Sequence, residues 1–333
     1  VPLGGRWRHY RLDSMSLRLS VQRRAWQQSV EAQAALRPGL IPVVKGNGYG
    51  FGRATLMPIA GQLSNHIAVG SVYEASDVPH TQTAIVLTPH VGQLPTHLPP
   101  SAVLTMADIH HVSTVAAQGW TGDVVIKLQS SMRRYGTTSD NLPFLEQAVR
   151  DARCTPVAYS LHFPLVGTAA DHVLEIEQWL PRLNPDLPVS VSHLDTGSYA
   201  RLIERHPDRE FQIRCGTSLW LGERSLISLT ADVISSRLAS AGDVVGYRGI
   251  TIPAEGHVVL VGAGSAHGVH ALNDGRSPFH FSRHRLVLLE PPHMHTSMLF
   301  VARELVCPGL TDRVDVQRPL TTSVVDELEW VDD

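Results

Sequence analysis

The chain has 333 residues with 28 Lys+Arg against 31 Asp+Glu, a formal charge of −3, and that near balance excludes a cationic nucleic-acid footprint. Hydrophobic residues make up 43% and charged residues 18%, enough apolar matter for a sizeable core, which excludes a disordered chain. Cys154, Cys215 and Cys307 are too few and scattered for a disulfide framework or a Cys-based zinc site, no apolar run reaches the roughly 18 residues of a membrane helix, and Val1–Arg11 lacks a signal-peptide core, so a cytoplasmic protein without membrane or nucleic-acid partners is expected.

A helical pattern covers 16–35. From about residue 39, short β-branched runs alternate with amphipathic stretches, with strands predicted at 40–45, 66–71, 83–88, 101–105, 123–128, 156–162, 188–193 and 211–214. Most are continuous apolar runs, as strands buried on both faces require. Helices are predicted at 54–64, 107–117, 141–152, 168–183 and 198–205, and the crossover at 91–98 is weak and proline-rich. Eight β/α units over about 200 residues predict an α/β fold, a TIM-type (β/α)8 barrel. An open doubly wound sheet is the alternative, but no G-x-G-x-x-G follows the first strand. After about Leu221 the texture changes to short alternating runs separated by Gly, Pro and His, which predicts a smaller, mostly β C-terminal domain. The expected boundaries are 12–224 for the barrel and 225–333 for the β domain, with 1–11 as a further segment pairing with the latter.

The loops after the strands form the active face of such a barrel. Lys45, Lys127, His162, His193 and Arg214 fall at or near five of the eight strand ends, a set suited to an anionic ligand. Thr196-Gly197-Ser198 and Gly216-Thr217-Ser218 follow the seventh and eighth strands and offer backbone N–H groups to a phosphate; ordinary N-capping is the plainer reading of each turn. A Lys beside other cations and a phosphate cradle suggests Schiff-base chemistry, with pyridoxal phosphate or, through an aldolase-type mechanism, with a phosphosugar.

Val44-Lys45-Gly46-Asn47-Gly48-Tyr49-Gly50-Phe51-Gly52 resembles the pyridoxal phosphate motif of the alanine racemase family, and Lys127 to Gly136 is similar to that family's K-x-D-T-G-M-x-R-x-G segment. The resemblance implies that Lys45 carries the cofactor and Tyr49 contacts its phosphate. It makes Lys127 a candidate for carbamylation and gives Arg134 to the substrate carboxylate. His162 corresponds to the imidazole near the cofactor ring, and Arg214-Cys215-Gly216-Thr217 to an R-P-G-x turn whose Arg faces the pyridine nitrogen. Gly242 to Tyr247 is similar to the segment with the catalytic Tyr, the second base opposite Lys45. It further implies a head-to-tail homodimer in which each Tyr reaches the partner's site. A phenol, ordinarily near pKa 10, then needs a cationic neighbour, by resemblance His162 with Arg214 behind it.

The sequence departs from that family in the substrate corridor. All seven Tyr lie at or before Tyr247. Ser265 stands where the family has Tyr, Thr321 to Val325 replaces its terminal Tyr region, and His295 in Pro291-Pro292-His293-Met294-His295 replaces an acid two residues after the segment's Ser, beside Met294, whose amide contacts substrate. Gln129 replaces an acid beside Lys127. A PLP-dependent isomerase is therefore expected, an amino-acid racemase or epimerase with a substrate larger or more polar than alanine. His293 and His295 form a two-ligand metal candidate similar to that of D-serine dehydratases and D-threonine aldolases. The alternatives are accordingly a metal-assisted lyase acting on a β-hydroxy amino acid, or a non-catalytic cofactor-binding protein.

Overall fold

The structure, a computed structural model, describes residues 17–332. The segment 1–11 and Ser16 lie outside the described residues. Contacts divide the chain into two units, one of residues 23–226 and one that joins 17–22 to 227–331.

The first described elements are β1 (Leu17–Gln22) and α1 (Arg23–Ala35), where the sequence pattern reads as one helix over 16–35. The reason for the difference is period. Leu17, Leu19 and Val21 alternate and are fully buried, a repeat of two that a strand satisfies and a helix does not. β1 runs antiparallel to Ile227–Ala239 and parallel to Glu327–Val331, and only from Arg23 onward do Trp26 and Val30 mark a buried helical face.

The first unit is the predicted barrel. Its strands are β2 (Leu40–Pro42), β3 (His66–Val69), β4 (Thr83–Val86), β5 (Leu104–Met106), β6 (Asp123–Lys127), β7 (Thr155–Ser160), β8 (Val189–Val191) and β9 (Phe211–Cys215). β5 to β9 and β2 form a continuous parallel ladder, β3 pairs β4 in parallel, and the bridges Val43 to Ala68 and Ile85 to Val103 close the ring. Ile41, Ala68, Ile85, Val103, Val125 and Ala158 pack in its interior, so the barrel is a filled core rather than a pore. Around it lie α2 (Arg53–Leu63), α3 (Ile109–Ala116), α4 (Leu142–Asp151), α5 (Ala169–Trp179), α6 (Thr196–Arg205) and the short α7 (Thr217–Trp220). Two crossovers carry no α-helix. Val72–Asp77 is a 3-10 helix, and 87–103, which contains the proline-rich stretch, is an extended loop.

In the second unit β10 (Ile227–Ala239) is the hub, pairing antiparallel with β1, Gly256–Val261 and Arg313–Val316. Gly256–Val261 pairs in turn with Ser297–Ala302. Val259, Val261, Phe279, Leu299, Val301 and Val314 supply its own core. Among the described residues no helix is long and apolar enough to cross a membrane.

Candidate active site

Lys45 is presented by backbone pairing carried past the end of β2. The Val43 N–H donates to the Cys215 carbonyl and the Val44 N–H to the Ala68 carbonyl, each at 2.8 Å, while the Trp220 indole N–H holds the Val43 carbonyl from below. Beyond Lys45 the loop is pinned by Glu74, whose two carboxylate oxygens accept the Gly46 N–H at 3.0 Å and the Gly70 N–H at 2.6 Å. Lys45 stays solvent-accessible at the barrel mouth. Its ammonium is nevertheless held below the ordinary value of 10.5, first by loss of hydration, then by the Arg134 guanidinium against the opposing pull of Glu74, and then by Arg214. The fraction of neutral, nucleophilic amine at neutral pH rises accordingly. Because Arg134 lowers this pKa, Arg134→Met should move the pH midpoint for Lys45 capture of a small aldehyde upward, measured as borohydride-trapped adduct against pH.

Four more groups converge at the same barrel end. Arg214, 7% exposed, donates through Nη1 to the Ser190 carbonyl at 2.9 Å and the Ser190 Oγ at 2.6 Å, and through Nη2 to the Leu161 carbonyl. Burial pushes it down to about 10, which still leaves it a cation at neutral pH. Lys127, 5% exposed, lies within 3.5 Å of the Ser160 hydroxyl, and burial followed by Arg214 and Arg134 drives its amine well below the ordinary lysine value. His162 is pushed down to about 2 by burial, then Arg214 and Lys127; its Nδ1 hydrogen-bonds the Ser192 hydroxyl at 2.7 Å. The family resemblance makes His162 the cationic neighbour of the phenol, whereas burial beside Arg214 and Lys127 keeps this imidazole neutral. Arg134 lies over the Tyr135 ring at 4.6 Å and donates to its hydroxyl at 3.1 Å.

The two expected phosphate turns differ. Tyr49 is buried and held at φ 56°, an uncommon conformation for a side-chain-bearing residue. Its hydroxyl lies so close to Gly216 that a Cβ there would sit 2.0 Å from Oη, which joins the Lys45 loop to the Gly216-Thr217 turn. Gly216→Ala should displace the phenol and cost about 1–3 kcal/mol of overpacking, read as a lower denaturant midpoint. At the other turn the Asp195 carboxylate caps α6. It accepts the Ser198 N–H at 2.9 Å and the Ser198 hydroxyl at 2.8 Å, so donors beside Thr196 and Gly197 are already engaged by the chain itself.

The remaining sequence candidates lie together in the β unit. The Ser265 N–H donates to the His293 carbonyl at 2.7 Å and the Ala266 N–H to the Met294 carbonyl at 2.9 Å, fastening the Ser265 turn to the Met294 loop. His295 faces the His267 ring at 5.8 Å, and His293 is bound to Glu290 at 2.7 Å. Among the described residues no cluster of three or more His, Cys, Asp or Glu side chains is arranged to hold a metal ion. Tyr247 is 89% exposed, and with Arg237, Ser235 and His293 it borders a pocket of about 420 Å³.

Sequence reasoning missed Glu74, Ser190, Ser192, Asp195 and Glu290. Ser190 and Ser192 had a signal, polar residues two apart in a strand otherwise buried. A second unread signal is composition: the chain contains only two lysines, Lys45 and Lys127, and both stand at this barrel end.

The fold and the site together are a closed parallel barrel with a depressed lysine amine, two arginines and a neutral imidazole at its C-terminal face. The model of the alanine racemase N-terminal domain family matches residues 23–221, and the chain belongs to that family. Solved structures agree in fold at low identity. The alanine racemase from Bartonella henselae with covalently bound pyridoxal phosphate is 15% identical with a TM-score of 0.72, over 96% of this chain and 100% of that one. The biosynthetic alanine racemase from Pseudomonas aeruginosa is 17% identical with a TM-score of 0.71, over 96% and 100%. That from E. faecalis is 19% identical with a TM-score of 0.68, over 95% and 98%. No curated protein sequence matches the chain.

Proposed function

We propose that the chain is a pyridoxal phosphate-dependent amino-acid racemase. In this reading Lys45 and the Tyr247 of a partner subunit act as bases on opposite faces of Cα, and the substrate is larger or more polar than alanine. The observation that carries the reading is the convergence of Lys45, Lys127, Arg134, His162 and Arg214 at one end of the barrel, with Lys45 depressed toward its neutral form.

The residues fit the cofactor in kind. Lys45 would hold it covalently, Tyr49 with Gly216 and Thr217 would take the phosphate, and Thr196 and Gly197 would contribute beside the Asp195 cap. When bound, the cofactor supplies an electron sink that acidifies the Cα proton. Arg214, fixed by Ser190 and Leu161, would present a cation to the ring nitrogen and disfavour its protonation, which restrains the sink and suits reversible proton transfer over transamination. Arg134 would bind the substrate carboxylate, and Lys127 would assist as an amine or as a carbamate. Racemisation needs one group to remove a proton and another to deliver one from the opposite side. The high exposure of the Tyr247 ring supports its service to a neighbouring protomer rather than to its own core. Ser265, Met294 and His295 would line the substrate corridor, with space and polarity where the family has Tyr and an acid.

The test is incubation of the cofactor-loaded protein in D2O with each amino acid and its enantiomer, followed by chiral chromatography and mass spectrometry. Deuterium at Cα with inversion is the expected result and names the substrate. Absence of exchange on every amino acid would overturn the reading, and keto acid from β-hydroxy amino acids would replace it with the lyase.

A further inference from the structure

We propose that Glu290, with His293 as its second arm, is a positioning residue that holds the Tyr247 loop in the orientation required for proton transfer; the inference rests on the racemase reading of Tyr247. Glu290 is a carboxylate with a side chain only 2% exposed. Such a group is costly unless its oxygens are satisfied. Here one oxygen accepts the Tyr247 N–H at 3.1 Å and the His293 Nε2–H at 2.7 Å, and the other accepts the Arg248 N–H at 3.0 Å. Burial alone would raise its pKa, but the hydrogen bonds from His293, Arg248 and Tyr247 prevail and hold the carboxyl below its ordinary value.

The loop is shaped around this anion. Gly246 sits at φ 76°, and a Cβ there would lie 2.5 Å from a Glu290 oxygen, so glycine is required both by the backbone and by the approach of the carboxylate. Successive N–H groups curled around one anion are a backbone nest, and this nest carries Tyr247 at its centre. His293 completes the clamp. Its own backbone is tied to Thr296 and Ser265, its imidazole reaches Glu290, and its ring meets the Tyr247 ring edge-on with centroids 4.7 Å apart. A clamp has work to do because Tyr247 is exposed and borders the 420 Å³ pocket, which leaves the ring free space in which to turn away.

Glu290→Gln keeps the shape and breaks the accounting, since three donors face two atoms of which only one still accepts. In this variant kcat for Cα deuterium exchange should fall about a hundredfold with KM within about twofold, the pattern of a misplaced catalytic group. Glu290→Asp should recover part of the loss. A readout independent of activity is the 13C signal of tyrosine labelled at Cζ, with the Tyr247 resonance identified by its disappearance in Tyr247→Phe. That resonance should shift in Glu290→Gln while the other tyrosine signals stay. If Glu290→Gln does not fold, His293→Phe, which keeps the ring and deletes the arm to Glu290, carries the same two measurements. An unmoved Tyr247 signal, or an unchanged kcat in a folded variant, overturns the proposal. A wild-type protein without Cα exchange overturns the racemase reading instead, and the resonance still reports whether Glu290 positions Tyr247.

Discussion

Lys45→Ala is expected to abolish covalent capture of pyridoxal phosphate and to lower Cα exchange by on the order of 10³-fold or more, because on the proposed reading one amine would serve as anchor and as proton carrier. The measurement is borohydride reduction followed by intact-mass and peptide mass spectrometry. Its interpretation is clean because the chain has only two lysines, so an adduct trapped on a side-chain amine lies on Lys45 or Lys127, and peptide mapping separates it from one on the terminal α-amine. Both amines are depressed, Lys45 in the accessible mouth and Lys127 almost fully buried. Accessibility decides between them, and the adduct should map to Lys45 alone in the wild type. The variant keeps Arg134, Arg214, Tyr49 and the Gly216 turn, so it should still bind the cofactor reversibly by equilibrium dialysis. A trapped adduct on Lys127 in both proteins would contradict the assignment and make the buried amine the anchor.

The parts of this fold that could be read from the sequence are those in which burial imposes a local pattern. Most of the eight barrel strands are apolar on both faces and read as continuous runs, and all eight predicted runs correspond to β2–β9. β1 was illegible in a window that continued into α1, because Leu17, Leu19 and Val21 declare a strand only if the pattern is allowed to change at Gln22. Lys45, His162 and Arg214 could be found because a barrel puts its chemistry at strand ends. Most of what holds the site could not. Glu74 acts on Gly46 across 28 residues and Glu290 on Tyr247 across 43, and a carboxylate at such a distance leaves no periodic trace. The electrostatics were likewise hidden. His162 becomes a neutral imidazole only because folding buries it against Arg214 and Lys127, two residues that are remote from it in sequence.

Tyr247→Phe is expected to preserve the fold and the trapped adduct while reducing exchange by about 10²–10⁴-fold for the enantiomer whose proton faces the phenol. Stability should change by no more than about 0.5 kcal/mol, since the ring is 89% exposed and only a surface hydroxyl is deleted. The loss should be one-sided in a first-turnover experiment: Lys45 still exchanges the proton on its own face, so deuterium enters one enantiomer without inversion. Subunit mixing then tests whether the phenol comes from a partner. Lys45→Ala and Tyr247→Phe chains are each inactive as inverting enzymes, but a mixed dimer with shared sites combines an intact Lys45 from one chain with an intact Tyr247 from the other. Random reassortment should restore about a quarter of the wild-type rate if the assembly is a two-fold dimer. No restoration after demonstrated mixing would place both bases on one chain, and the exposed tyrosine would then need another role.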